Sequence, residues 1–405
     1  MSLTPEQLKE IPNEIVELYQ SLEDFIIKDF ARRLLKAGEV TSSAQWQALR
    51  ANEIGLANSH IKKELKKLIK LSENDIERLF NQSALESIDS DNKIFKNGGL
   101  DIIKINEHPY LRQLLEASMR QTNKELKNLT NSLGFAEIIG GKVVYSTITK
   151  FYQKQLDLAT MKILTGVTDY NSAIKHATKT LTNSGVRYVN FPTGWSNRID
   201  VAVRRVVMTG VNQMAAKMVD YNCDVLGVEL VEVSAHGGAR LSHQDWQGQI
   251  YTRGTATDKY ENFEDATQYG EADGLCGINC RHSYAPFIEG SPRTWSEKQL
   301  EELKNKTVYY NGKTMTDYEA SQYQRKLERD IRQSKREILA YHESGLKKDF
   351  ENASIKLQRQ REKYNKFSKT TGIKKQDYRH QVEGFGRSIA QKSSQVKERK
   401  GDNYE

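Results

Sequence analysis

The sequence predicts a mainly α-helical chain carrying a small α+β domain, with long N-terminal and C-terminal helices flanking that module. Three observations point there. Only 37 % of the 405 residues are hydrophobic and only six are proline, against the roughly 45–50 % apolar content usual for soluble domains. With a mean hydropathy of −0.70, this favours long solvated helices over one large core. Apolar residues recur at helical spacing along most of the chain, and the period turns strand-like near residue 225.

Taken in order, residues 1–137 read as helix. Thr4 is placed to cap a helix that Pro5 opens. Ile15, Leu18, Leu22, Phe25 and Ile26 then define one apolar face, which Leu65, Leu68, Ile69, Ile76 and Leu79 continue between lysines and glutamates. Asn97-Gly98-Gly99 punctuates the run before a helix over 109–132, and Gly134 and Gly140-Gly141 break it again. Residues 145–185 read as further helix, with Leu156, Leu158, Ile163 and Leu164 as its apolar positions. Residues 190–196 read as a loop whose Ser196 would cap a helix over 197–222. That helix is rich in valine and methionine (Val201, Val203, Val206, Val207, Val211, Met214, Met218) and should pack under the motif region. Residues 225–234 alternate valines with acids, as a strand would, and 249–252 read as a second strand. A short helix fits 262–269. A long charged helix over 314–341 has a narrow apolar stripe (Tyr318, Tyr323, Leu327, Ile331, Ile338) suited to a partner helix, and 345–369 has similar composition. The organisation expected is a helical region 1–186, an α+β motif domain 187–292, a long basic helical region 293–390 and a disordered tail 391–405.

Charge is unevenly spread. Residues 291–405 hold 27 Lys and Arg against 17 Asp and Glu, a net +10, while the first 290 carry 34 against 36, a net −2. Arg325, Arg329, Arg332, Lys335 and Arg336 form the expected basic helix. Such a segment can meet duplex DNA through its phosphates without reading sequence, or an acidic protein surface. Three cysteines make no disulfide framework. No signal-like stretch and no run near the roughly 20 apolar residues of a membrane span occur, so a soluble protein made in a reducing compartment is expected.

The punctuation concentrates in residues 234–287, which hold two of the three cysteines and three of the eight histidines. His236, His243, Cys276, Cys280 and His282 are ligand types that suit zinc. Their spacings, His-x6-His and Cys-x3-Cys-x-His, are not the close pairs that aim two ligands at one ion, so no metal, cofactor or catalytic residue is assigned. Cys280 beside Arg281 and His282 could be an activated thiol with His236 or His243 as base. A third reading makes Arg240, His243, Trp246, Gly248, Asn279, Cys280, Arg281 and His282 a polar network that fixes loops, with Arg240 forking onto Asp245 or Asp273. The last reading is preferred because it accounts for so many Gly, His, Arg and aromatic residues without any chemistry. Phosphate-loop, nucleophile-elbow and His-Glu-x2-His signatures are absent from the sequence.

The run Ser-Ala-His-Gly-Gly-Ala-Arg-x2-His-x2-Trp-Gln-Gly at 234–248 resembles the phage minor capsid protein 2 family. So do Gly-x2-Asn-Cys-Arg-His-Ser-x2-Pro-Phe at 277–287 and the charged segment from Tyr318 to Arg336. Asn-Cys-Arg-His is also similar to the Asn-Cys-Arg-Cys ending of phage Mu F-like head morphogenesis proteins, with His282 in place of the second cysteine. The resemblance implies a structural protein of a tailed phage or prophage. It would sit in the virion head, and in the host cytoplasm during assembly, with the portal protein and other head proteins as partners. It carries no established catalytic residue. The competing readings are a phage-delivered enzyme, a hydrolase or an ADP-ribosyltransferase-like domain, and a zinc-stabilised binding module built on 234–287. For the transferase, Arg240 and Glu271 are present without the accompanying Ser-Thr-Ser or Glu-x-Glu.

Overall fold

A computed structural model describes residues 2–37, 43–165 and 167–396. In chain order the elements are α1 (Pro5–Glu10), α2 (Asn13–Ala37), α3 (Ser43–Asn97), α4 (Pro109–Asn131), β1 (Leu133–Ile139), β2 (Lys142–Thr147), α5 (Ile148–Leu164), α6 (Tyr170–Ser184), β3 (Arg187–Asn190), β4 (Trp195–Arg198) and α7 (Ile199–Leu226). They continue with β5 (Leu230–Val233), β6 (Ile250–Thr252), α8 (Phe263–Thr267), β7 (Tyr284–Pro286), α9 (Glu297–Asn305), β8 (Thr307–Tyr310), β9 (Lys313–Thr316), α10 (Asp317–Glu343), α11 (Lys347–Thr371) and α12 (Arg387–Gln395). The chain is mainly α with a small α+β part, as the sequence predicts.

The chain divides into two compact units, each gathered from three separated segments. One comprises Met1–Val16, Lys70–Asn128 and Val201–Ser321; the other comprises Glu17–Ile69, Leu129–Asp200 and Gln322–Glu405. The consecutive division expected at 186, 292 and 390 differs from this. Hydrophobic faces on long helices are satisfied by partners distant in sequence, so composition shifts along the chain do not mark the units.

In the first unit, Thr4 caps α1 through a capping box with Gln7, with Pro5 opening the helix. The apolar α7 is the spine: Val203, Val207, Val211 and Met218 are fully buried, whereas Val201 at its start is 43 % exposed. Its end is set by Gly227 at φ +67° and a closing bond from Val228 N–H to the Cys223 carbonyl, the Schellman arrangement. Helix therefore persists to Leu226, and the expected strand over 225–234 shrinks to β5. β5 is the centre of a three-stranded antiparallel sheet in the order β6-β5-β7. The short helix expected at 262–269 is α8, capped by Asn262.

In the second unit, an antiparallel sheet in the order β2-β1-β3-β4 stands where the sequence predicts a helix end, a helix break and a loop. Residues 133–137, expected as helix, lie in β1. Gly140 and Gly141, both at positive φ, form the two-residue turn that joins β1 to β2, because a turn whose twist matches the strands needs positive φ at both positions. The 190–196 loop is the β3–β4 hairpin, and Ser196 lies in β4 rather than capping α7. Phe135 packs on Phe151 at 4.5 Å, and Tyr152 donates to the Ile26 carbonyl. The side chains of Ile163 and Leu164 lie outside the described residues.

α10 finds its partner helix in α11. Tyr323 packs on Phe367 at 5.1 Å and Tyr364 donates to Glu328 at 3.0 Å. The interior face of α10 carries a buried ion cluster. Arg336, 1 % exposed, reaches Glu23 at 2.7 Å and Asp24 at 3.1 Å, and Arg332 pairs with Asp200. Helix α12 runs through Gln395, into the segment expected as a disordered tail, while residues 397–405 lie outside the described residues.

Candidate functional site

The motif residues converge at one end of the β6-β5-β7 sheet. β5 and β7 pair antiparallel with Val233 opposite Tyr284, and bonds between Ser234 and Ser283 extend the pairing. The same register places His236 beside Arg281, whose Nη2 lies 3.2 Å from His236 Nδ1. A tight loop from Gln268 to Cys280 then returns the chain. In it Leu275, Ile278 and Cys280 donate to the carbonyls of Thr267, Ala272 and Gly277. A side chain at Gly277 would meet the Glu271 and Ala272 carbonyl oxygens at 2.6 Å, so only glycine fits that approach. Cys276 and Asn279 adopt the left-handed conformation at φ 57°, which Asn tolerates and Cys does so only at a cost. Beneath the loop, Asn212 of α7 donates to the Cys280 and His282 carbonyls at 3.2 and 3.0 Å. The expected packing of α7 under the motif is realised by this buried amide together with Thr209, which accepts from the Asn279 N–H, and Asp220, which accepts from Tyr269 and Tyr284.

His243 enters from a 3₁₀ turn, Leu241–His243. Its Nδ1 lies 3.4 Å from His282 Nδ1 and 3.9 Å from Cys280 Sγ, and the remaining side of that triangle, Cys280 Sγ to His282 Nδ1, is 3.6 Å. His243, Cys280 and His282 form the ligand-type cluster of this site, at 2 %, 1 % and 1 % exposure.

The other sequence-selected residues surround that triangle. Trp246 packs on His243 at 4.5 Å and on His282 at 4.8 Å. His236 stacks on His282 at 4.3 Å, with its Nδ1 facing the Gly237 carbonyl. Arg240 donates to the Ile278 carbonyl, whereas Asp245 pairs with Lys304, so the expected fork of Arg240 onto a carboxylate is replaced by a loop-closing bond. Cys276 faces Asn212 and the His282 carbonyl at 3.7 Å, outside the triangle. Gly248 is buried at φ +70°, and Asn279 is exposed.

Sequence reasoning missed two residues here, Gln247 and Asn212. Gln247 Oε1 lies 3.1 Å from the His236 backbone nitrogen and 3.0 Å from His282 Nε2. Gln247 sits in the quoted motif, one residue after Trp246. Asn212 sits on the buried face of α7 between Met208 and Ala216, and an amide on that apolar face is the signal the sequence offers.

Burial dominates the electrostatics. It pushes His236 down to about 3, aided by the Arg281 charge, lowers His243, and holds His282 well below the usual imidazole range. It also pushes the Cys280 and Cys276 thiols up. The imidazoles are therefore neutral at neutral pH. The Cys280 thiol, by itself, is the opposite of an activated nucleophile, which needs a depressed thiol pKa and access.

The basic helix fares differently from its sequence reading. Arg332, Lys335 and Arg336 are buried. Lys335 donates to the His380 carbonyl at 2.7 Å, and the other two belong to the ion cluster. Arg329 is exposed and Arg325 is half-buried. The outward basic stripe is on α11 instead, where Arg359, Lys363, Lys366 and Lys369 are exposed at helical spacing.

The model of the phage minor capsid protein 2 family matches residues 3–369. The chain belongs to that family, a family of phage structural proteins. No curated protein and no solved structure matches the chain. No helix among the described residues is long and apolar enough to cross a membrane.

Proposed function

From that membership, we propose that the chain is a minor structural and assembly protein of a tailed-phage head that docks on the portal protein and its neighbouring head proteins. The observation that carries the docking is the tip of the β1–β2 hairpin. Ile138, Ile139, Val143 and Val144 are 79 %, 47 %, 56 % and 40 % exposed there. Ile138 and Val143 lie opposite each other on one face of the hairpin end, with Ile139 and Val144 on the other face; exposed aliphatic side chains gathered there have no use in water and suit a protein surface. The sealed motif supports the same role: side chains at 1–2 % exposure hold a loop cluster together and present nothing to a substrate.

The test mixes the purified full chain with rings of the portal protein from the same phage. The wild-type chain should co-sediment with the rings. Ile138→Glu with Val143→Glu should abolish this while leaving the circular dichroism spectrum unchanged. Absence of a complex with wild-type chain, or undiminished binding by the variant, overturns the reading.

The stripe on α11 favours a second contact, with the phosphates of packaged DNA. The full chain should bind duplex DNA at low salt, and Lys363→Glu with Lys366→Glu should reduce the slope of log affinity against log salt by about two. No binding at low salt removes this contact and leaves portal docking standing.

A further inference from the structure

The geometry points to a metal site: we propose that His243, Cys280 and His282 bind one Zn²⁺ ion through Nδ1, Sγ and Nδ1. Gln247 Oε1 faces the His236 backbone N–H, which can only donate, so that atom is the amide oxygen. His282 Nε2, 3.0 Å from the same oxygen, must therefore carry its proton. The Asp273 backbone carbonyl can only accept, so His243 Nε2, 2.8 Å away, is protonated as well. A neutral imidazole has one N–H, hence both Nδ1 atoms present lone pairs.

Those two lone pairs lie 3.4 Å apart, with Cys280 Sγ completing the triangle at 3.6 and 3.9 Å. One thiol proton cannot serve two acceptors, and two buried lone pairs facing each other repel. A cation between the three atoms removes the conflict. The dimensions agree with this. Tetrahedral zinc with bonds of about 2.0–2.1 Å to nitrogen and 2.3 Å to sulfur requires N–N edges of about 3.4 Å and N–S edges of about 3.6 Å. Two imidazoles and one thiolate are also the borderline-soft donors that zinc takes.

The surrounding shell is that of a ligand set. Each histidine donates its other ring N–H to a fixed amide or backbone carbonyl, the arrangement that orients metal-binding imidazoles. Asn212 pins the backbone on both sides of Arg281 through the Cys280 and His282 carbonyls. Binding replaces the Cys280 S–H bond with a Zn–S bond and releases the proton to solvent. Three protein ligands leave the fourth position to water or hydroxide. With the ligands this deeply buried, the ion's role is to clamp the 3₁₀ turn to the loop and to β7. This proposal is independent of portal docking and of DNA contact.

The test uses the purified full chain, stripped with chelator and titrated with Co²⁺ as a spectroscopic stand-in for zinc. One equivalent should bind, with tetrahedral d–d absorption and a thiolate-to-cobalt charge-transfer band. Cys280→Ser should lose that band, and Cys276→Ser should keep it. A folded, stripped chain that shows no charge-transfer band overturns the proposal, as does an unchanged spectrum in Cys280→Ser. Should Cys280→Ser fail to fold, alkylation of the wild-type chain decides. Zinc should protect Cys280 and chelator should expose it, whereas equal labelling with and without zinc overturns the proposal.

Discussion

Two buried polar clusters, one in each unit, solve the same problem in opposite ways. In the unit containing most of α10, the Arg332 and Arg336 guanidinium groups pair with three carboxylates (Glu23, Asp24, Asp200), and the Arg198 charge interacts with Glu23 and Asp200. Arg336 touches two of the three carboxylates, and backbone N–H groups of Val186 and Glu383 fill further carboxylate lone pairs. Charge is balanced from within. In the motif unit, His243, Cys280 and His282 are neutral, their outer hydrogens are spent on Asp273 and Gln247, and their inner atoms are all acceptors but for one thiol proton. The first cluster pairs its charges within the protein; the second has a surplus of lone pairs. A buried cluster whose charges cancel is scaffold, and one whose surplus has a single sign specifies a missing partner of the other sign.

The largest effect expected is in the balanced cluster. Arg336→Met removes a cation from beside Glu23 and Asp24 and should cost about 3–5 kcal/mol, read from urea denaturation of the full chain. A loss below about 1 kcal/mol would mean the cluster is hydrated and the contrast false. Next comes the acid limb. Burial alone would raise the Asp200 carboxyl, but Arg332 and Arg336 hold it at about 2 against an ordinary 3.8. A carboxylate with a depressed folded pKa adds stability that is present above its unfolded pKa and lost as pH falls through the folded one. Asp200 should thus contribute about 2 kcal/mol that disappears between roughly pH 4 and pH 2. Asp200→Asn should flatten that part of the stability profile, and parallel profiles for wild type and variant would contradict the pairing.

A smaller effect sharpens the other side. Gln247→Leu strands the His236 backbone N–H and His282 Nε2–H in a buried site, at a cost of about 1–3 kcal/mol. It also frees the His282 tautomer, so Co²⁺ affinity should fall about 10–100-fold. Unchanged cobalt affinity would separate the hydrogen-bond shell from the ion. Smallest of all, Glu14→Gln breaks a half-exposed pair with Arg78 and should cost under about 1 kcal/mol, a baseline against which both clusters are judged.

Much of the helical content was legible because it rests on local signals. The Thr4 cap, the apolar face of α7 from Val203 to Met218 and the stripe of α10 from Tyr323 to Ile338 appear where their spacing put them. The small sheets were less legible. Gly140-Gly141 and Asn311-Gly312, both pairs at positive φ, are hairpin turns, and the β8–β9 hairpin carries the strongest short-range hairpin signal there is. The first sits where the sequence predicts a helix break, and helical charge patterns on either side mask the second. In the motif, the right residues were gathered from the sequence, but their pairings were not. Arg240 bonds to a carbonyl, Asp245 turns to Lys304, and Cys276 drops out of the triangle that Cys280 joins.

The sequence by itself determined the helical class, the family and the residues of the motif, since periodicity, capping and motif order are properties of neighbours along the chain. Only the tertiary structure decided which charges became interior and which histidines met. Whether Arg336 faces water or Asp24 depends on which helix lies opposite it, more than three hundred residues away in the chain. Whether His243 can share an ion with Cys280 and His282 depends on a sheet register, a glycine-bounded loop and the amides of Gln247 and Asn212. Spacing along the sequence argued against a metal there, because it measures distance along the chain, while a ligand set is chosen by distance through space.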